Sequence, residues 1–132
     1  MISTKGRYAL RVMLDLAEHD TGDFIPLKTV AERQEISKKY LEIIVKDLVK
    51  QGLLLGSSGK GGGYKLSRKP KDYSVGEIIE ATEGPIVPVA CLAADAEKCP
   101  RAKQCKTLPF WIEYGKMEHS FLFSKKLTEL LK

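Results

Sequence analysis

Residues 56–67 read GSSGKGGGYKLS, a run of glycine and serine with one lysine that follows Leu53-Leu54-Leu55 and closes on Tyr64 and Leu66. Such a run can cradle a phosphate, link two bodies or form the tip of a hairpin. The first use fails on detail. A Walker-type loop needs Gly-Lys followed by Ser or Thr, whereas Lys60 is followed by Gly61. No Gly-x-Gly-x-x-Gly pattern closes either, because Tyr64 and Leu66 stand where the last glycine is needed. The apolar runs 53–55 and 64–66 flank the glycines as two strands would, so the stretch reads as a hairpin.

What precedes the hairpin gives it a use. Residues 38–51 place Leu41, Ile44, Val45 and Leu48 at i, i+3, i+4 and i+7, with Lys38, Lys39, Lys46 and Lys50 outward, the pattern of an amphipathic helix. Ser37 is placed to cap its start and Gly52 to stop it. Pro26 opens a shorter helix, LKTVAERQ at 27–34, and only Glu35-Ile36-Ser37 separates the two. Helices joined so closely read as a helix-turn-helix, and a hairpin directly after one makes a winged helix. An earlier helix over 5–18 sets Leu10, Met13, Leu14 and Ala17 on one side, with Arg7, Arg11, Asp15 and Glu18 elsewhere.

Beyond the hairpin, residues 70–73 form a turn, and Ser74-Val75-Gly76-Glu77 is a capping box opening a short helix to about Glu83. Residues 85–106 are an irregular loop holding Cys91, Cys99 and Cys105, and a loop of that length is functional or disordered. The last element runs from about Pro109 to Leu131. Phe110, Tyr114, Met117 and Phe121, spaced 4, 3 and 4, give it an apolar seam that a lone helix cannot bury against itself, so it reads as a dimer helix, packing within the same chain being the alternative. The expected fold is mainly α with a small β-hairpin wing: a winged helix-turn-helix domain plus a long C-terminal dimerisation helix. Its divisions are a DNA-binding domain over 1–84, a cysteine-containing sensor loop over 85–106 and the dimerisation helix over 107–132.

The 132 residues, 43% hydrophobic, suit one compact domain with an extension. No apolar run approaches the roughly 20 residues of a membrane span, and the start MISTKGRYALRVML lacks a secretory h-region, which points to the cytoplasm and to no membrane partner. The net charge of +5 lies in residues 1–70, with 13 Lys/Arg against 8 Asp/Glu, while residues 71–132 balance at 9 against 9. The excess therefore sits where a polyanion would bind, a solubility surplus being the alternative. His19 and His119 have no carboxylate or nucleophile at recognisable spacing, so no enzyme is expected. The paired aromatic motifs of RNA-binding sheets are absent as well.

Four stretches together carry a family resemblance: ISTKGRYAL at 2–10, AERQEISKKYLE at 31–42, GKGGGYKLS at 59–67 and SVGEIIEATEGPIVPVAC at 74–91. They resemble the bacterial winged-helix transcriptional regulators that include IscR, NsrR and CymR, continuously from Met1 to the cysteine loop. The resemblance implies a homodimer on a palindromic operator of double-stranded DNA, with long C-terminal helices crossing between subunits. The helix over 38–51 enters the major groove by its N-terminal end, where Ser37, Lys38, Lys39 and Tyr40 reach phosphates or base edges. Glu42, at a position the family keeps on this helix, can accept from a cytosine amino group; an exposed helix glutamate is the plain alternative. The wing brings Lys60, Gly61 and Gly62 to the backbone or minor groove, though Ser58 stands where many relatives have an arginine. Lys5 and Arg7 are further phosphate candidates.

Cluster-binding members of that family carry three cysteines in the corresponding loop. Here seven residues separate Cys91 from Cys99 and five separate Cys99 from Cys105, the first gap being two longer than usual for the family. Thiolates suit an iron–sulfur cluster, two-iron or four-iron, the alternatives being zinc, a thiol–disulfide switch or three cysteines without a role. Leu108 occupies the place of a histidine that some members use, so the fourth ligand is open among a partner subunit, Asp95, Glu97 and a small molecule; His119 lies too far along. Lys98, Arg101, Lys103 and Lys106 would offset the charge of bound thiolates. The expected function is a dimeric regulator, read as a repressor, controlled by an iron–sulfur cluster or by the redox state of the loop. The alternative is a cluster-free regulator of cysteine or sulfur metabolism controlled by a partner enzyme.

Overall fold

Local hydrogen bonds write the starts and stops of the first three helices. In the computed structural model, which describes residues 2–131, α1 (Thr4–Glu18) is capped by Ser3, whose hydroxyl accepts from the Gly6 amide. Helix α2 (Leu27–Gln34) follows Pro26 and ends at Glu35, a non-glycine residue at φ 54°, which turns the chain so that Ile36 donates to the Ala31 carbonyl at 3.1 Å. Helix α3 (Lys38–Lys50) is capped by Ser37, which accepts from the Tyr40 amide at 3.1 Å. Its end is a Schellman motif: Leu53 donates to the Leu48 carbonyl and Gly52 to that of Val49, both at 2.9 Å, with Gly52 at φ 77° where a side chain would be strained. Leu48 and Leu53, the apolar pair of that motif, are both buried.

The hairpin is as expected. Strands β1 (Leu54–Ser57) and β2 (Gly63–Leu66) pair antiparallel, Leu54 opposite Leu66 and Ser57 opposite Gly63. The other edge of β2 is occupied too, since Ile25 and Tyr64 exchange two backbone hydrogen bonds of 2.9 Å. A methyl group on Gly63 (φ 145°) would overlap the Ile25 carbonyl, so this close approach admits only glycine. Tyr73, fully buried, clasps the far end of the hairpin: its hydroxyl donates to the Leu53 carbonyl at 2.8 Å and accepts from the Ser67 and Arg68 amides at 2.9 and 3.0 Å. Helix α4 (Val75–Glu83) opens with the Ser74/Glu77 capping box.

The core forms where α1, α2, α3 and α4 meet. The α3 face is the expected one, with Leu41, Ile44, Val45 and Leu48 fully buried. In α1 the face is rolled by about one residue: Ala9, Val12, Met13 and Leu16 are buried, while Leu10, Leu14 and Ala17 pack half-buried at its edge. Gly6, on the same rolled face, leaves room for the Glu83 side chain of α4, where a Cβ would overlap it. The roll also buries Asp15, expected outside. Arg33 grips its carboxylate twice, at 2.7 and 3.0 Å, and Gln34 donates at 2.9 Å. His19 lies with Nδ1 3.8 Å from the same carboxylate, a partner the sequence reading did not give it.

Burial pushes the Asp15 carboxyl up, but the bonds from Arg33 and Gln34 and the Arg33 charge outweigh it and hold it below its ordinary value. Its stabilisation is therefore complete above the usual aspartate range near pH 4 and is lost as pH falls through the lower folded value. Arg33→Met should cost about 3 kcal/mol at neutral pH, near the low end for a broken buried pair because the guanidinium edge meets solvent. Urea unfolding at pH 7 and at pH 3 checks this, since the variant should lose less stability than the wild type on acidification.

Helix α5 (Leu108–Ser124) stops short of the expected Leu131. Lys125 and Lys126 are extended, Val75 donates to the Lys125 carbonyl at 2.8 Å and Leu127 to that of Tyr73 at 3.0 Å. A 3₁₀ turn, Leu127–Leu130, then drops Leu127 into the core. Backbone pairing with Ser74 and one fully buried leucine replace the helical continuation, so residues 125–131 pack with the body rather than extending the helix expected over 107–132.

Candidate functional site

The outer surface of α3 carries Lys38, Lys39, Glu42, Lys46 and Lys50, all exposed. Lys38 and Lys39 stand in the first helical turn, beside the partial positive charge of the helix end, and no acidic residue is there to offset them. The arrangement is unfavourable for the helix alone and favourable only with an anion present. Neither lysine makes an ion pair among the described residues.

Between α3 and the hairpin runs an open groove of about 530 Å³, lined among others by Glu42, Lys46, Ser57, Ser58 and Tyr64. Lys60 is exposed in the loop joining the strands, beside exposed Gly61 and half-buried Gly62, whose amide donates to the Gly59 carbonyl at 3.0 Å. Four other candidates are engaged with the protein. The Ser37 hydroxyl serves as the α3 cap, and the Tyr40 ring meets Tyr8 edge to face at 5.7 Å. Lys5 pairs with Asp47 of α3 at 2.6 Å, and the exposed Arg7 bonds Thr4 at 3.4 Å. The fold thus gathers Ser37, Lys38, Lys39, Tyr40 and Glu42 on one helix, sets Lys60 apart on the hairpin and turns Lys5 inward. Lys46 joins the groove unpredicted, although its place seven residues after Lys39 marks the same stripe.

The connection from α4 to α5 holds one short 3₁₀ turn, Ala90–Leu92. Cys91, Cys99 and Cys105 are all free thiols, and all three line one cavity of about 190 Å³ together with Glu97 and Lys98. Shared lining is not single-ion geometry: among the described residues no three of His, Cys, Asp and Glu gather around one point. Three soft donors spread around a cavity fit a group with several metal centres better than a lone zinc ion. The Thr107 hydroxyl, 3.4 Å from Cys105 Sγ, the Thr107 and Leu108 amides at the start of α5, and nearby Arg101 together lower the Cys105 thiol below its ordinary value, favouring the ligating thiolate. Of the other proposed donors only Glu97 lines this cavity; His119 stacks on Phe123 at 4.3 Å along α5.

No residue of α5 is buried. Phe110, Met117 and Phe121 are each 59% exposed, and Tyr114 stacks on Phe110 at 6.5 Å. The helix meets the body through Phe123 against Gly76, and through Gly115 beside Pro88 and Leu92. Among the described residues no helix is long and apolar enough to cross a membrane.

Residues 2–132 match the family described as Rrf2, iron-dependent transcriptional regulator. The chain is 36% identical to the protein rrf2 of Nitratidesulfovibrio vulgaris, over 99% of this chain and 87% of that one. Among solved structures it is similar to CymR, the global cysteine regulator of B. subtilis, at 36% identity and TM-score 0.79, covering 99% of this chain and 95% of that one. It is likewise similar to T. potens IscR, at 33% identity and TM-score 0.74, covering 99% and 85%.

Proposed function

The chain belongs to the Rrf2 family of transcriptional regulators, and from that premise we propose that it acts as a homodimer on palindromic double-stranded DNA under the control of its three-cysteine loop. It is a regulator and not an enzyme. The observation that carries the DNA reading is the lysine pair at the start of α3, without an ion-pair partner among the described residues, beside an open groove flanked by the glycine hairpin.

In this reading residues 1–84 are the reading head. The start of α3 enters the major groove, Lys38 and Lys39 meet phosphates, and Ser37 and Tyr40 contribute at its edge. Glu42 accepts from a cytosine amino group. The hairpin is the wing, laying Lys60 and the bare backbone of Gly61 and Gly62 on the sugar–phosphate edge. Lys5 and Arg7 are outlying phosphate contacts, Lys5 after release from Asp47. The seam of α5 packs on a second copy, which sets two heads about one helical turn of DNA apart.

Cys91, Cys99 and Cys105 would hold an iron–sulfur cluster, two-iron or four-iron, with Glu97 the nearest further oxygen donor. Such a cluster supplies a redox-active centre that oxidants can dismantle. The loop over 85–106 ties α4 to α5, so order in that loop fixes how α5 leaves the body and hence the spacing of the heads. Replacing all three cysteines by alanine should remove visible absorption, iron and sulfide from anaerobically purified protein and change its operator affinity at least several-fold. A triple variant indistinguishable from wild type on every duplex would end cysteine control while leaving DNA binding standing.

The similarity to a global cysteine regulator favours a second reading, a cluster-free regulator of sulfur metabolism governed by a partner enzyme. Colourless anaerobic protein whose DNA affinity responds to such a partner would select it.

A further inference from the structure

We propose that Ile43 reads the 5-methyl group of thymine in the major groove, a specificity contact that rests on the DNA-binding reading above. Lys39, Glu42, Ile43 and Lys46 stand at i, i+3, i+4 and i+7 of α3, on the side opposite Leu41, Ile44, Val45 and Leu48. Three of the four are charged. Ile43 is the exception, an aliphatic side chain 51% exposed.

One exposed isoleucine is ordinary on most surfaces. This one lies in a stripe with exposed Lys39, Glu42 and Lys46, the last two of which line the groove beside the hairpin. The side chain is β-branched, which a solvated helix position does not favour, and it can neither donate nor accept a hydrogen bond. The major-groove edges of the four base pairs offer donors, acceptors and a single apolar feature, the thymine methyl. A side chain with only dispersion and hydrophobic contact to give can therefore distinguish thymine from cytosine and from uracil there, and little else. Glu42, the residue before it, covers the complementary chemistry by accepting from a cytosine amino group. Together they favour half-sites in which a thymine and a cytosine lie close together.

The test uses the full chain and a duplex selected by it from a random pool. Each thymine of both half-sites is replaced in turn by deoxyuridine, which deletes the methyl and keeps every hydrogen-bonding group. One symmetric position should weaken wild-type binding about four-fold per half-site, the worth of one buried methyl group. Ile43→Ala should bind the thymine duplex more weakly by a similar factor, lose sensitivity to uracil at that position alone, and keep the wild-type salt dependence. Uracil effects identical in the two proteins, including none at all, overturn the inference while DNA binding stands. Failure to select or bind any duplex overturns it together with the reading beneath it.

Discussion

Replacing Lys38 and Lys39 together by glutamate should make the folded chain more stable while abolishing its affinity for duplex DNA. The two lysines stand in the first turn of α3 with no acid to offset them. Exchanging a cation for an anion there exchanges repulsion for attraction with the helix dipole, about 0.3–1 kcal/mol per site. Ser37 still caps the helix and the buried face of α3 is untouched, so thermal unfolding should shift upward by several degrees. Binding moves the other way. Four lysines per dimer leave the phosphates, which lowers the slope of log K against log salt by about 3.6 and affinity near physiological salt by about a thousand-fold, before any repulsion from the new carboxylates. Opposite signs for stability and binding are what a structural role for these lysines would not produce. Wild-type affinity in the double variant would exclude α3 as the reading helix.

Met117→Glu with Phe121→Glu should convert the protein from a dimer to a single chain by light scattering, with almost no change in the unfolding of the body. Both side chains are 59% exposed and α5 buries none of its residues, so a second copy covering the seam would lose its contacts while the core loses nothing. A 17-residue helix without a side-chain cap, with Gly115 within it and no buried residue, has little support beyond its contacts with the body, and a second copy on the seam would add to it. Two heads released from one another bind independently, and affinity for the palindrome should fall about 100-fold or more towards that of one half-site. A variant that remains a dimer would assign the seam to a different partner.

The helix-turn-helix and the wing were legible because their determinants are local. Ser37, Gly52 and the Ser74/Glu77 box act within a few residues, and the 3.6-residue period of α3 has four clear apolar positions. The buried face of α1 lies one residue round from its hydrophobic pattern, since Gly6 and Ala9 add little to that pattern although both are buried, and Gly6 leaves room for the Glu83 side chain of α4. The burial of Asp15 is not legible locally, because it depends on Arg33, 18 positions away. Nothing local marks the end of α5 at Ser124; pairing with Ser74 and the burial of Leu127 come from the rest of the fold. Lys5 appeared free because its partner, Asp47, lies on a helix far along the chain. The three cysteines announced themselves by clustering, but their meeting around one cavity depends on how α4 and α5 are set.

The most direct measurement is a titration of full-length protein against a palindromic duplex selected from a random pool, followed by fluorescence anisotropy across a salt series and by sedimentation of the complex. Two chains should occupy each duplex, with log K falling linearly in log salt at a slope of about −3.6 or steeper, the value expected when Lys38 and Lys39 of both chains meet phosphate. A complex of one chain per duplex, or binding indifferent to salt, would contradict the account.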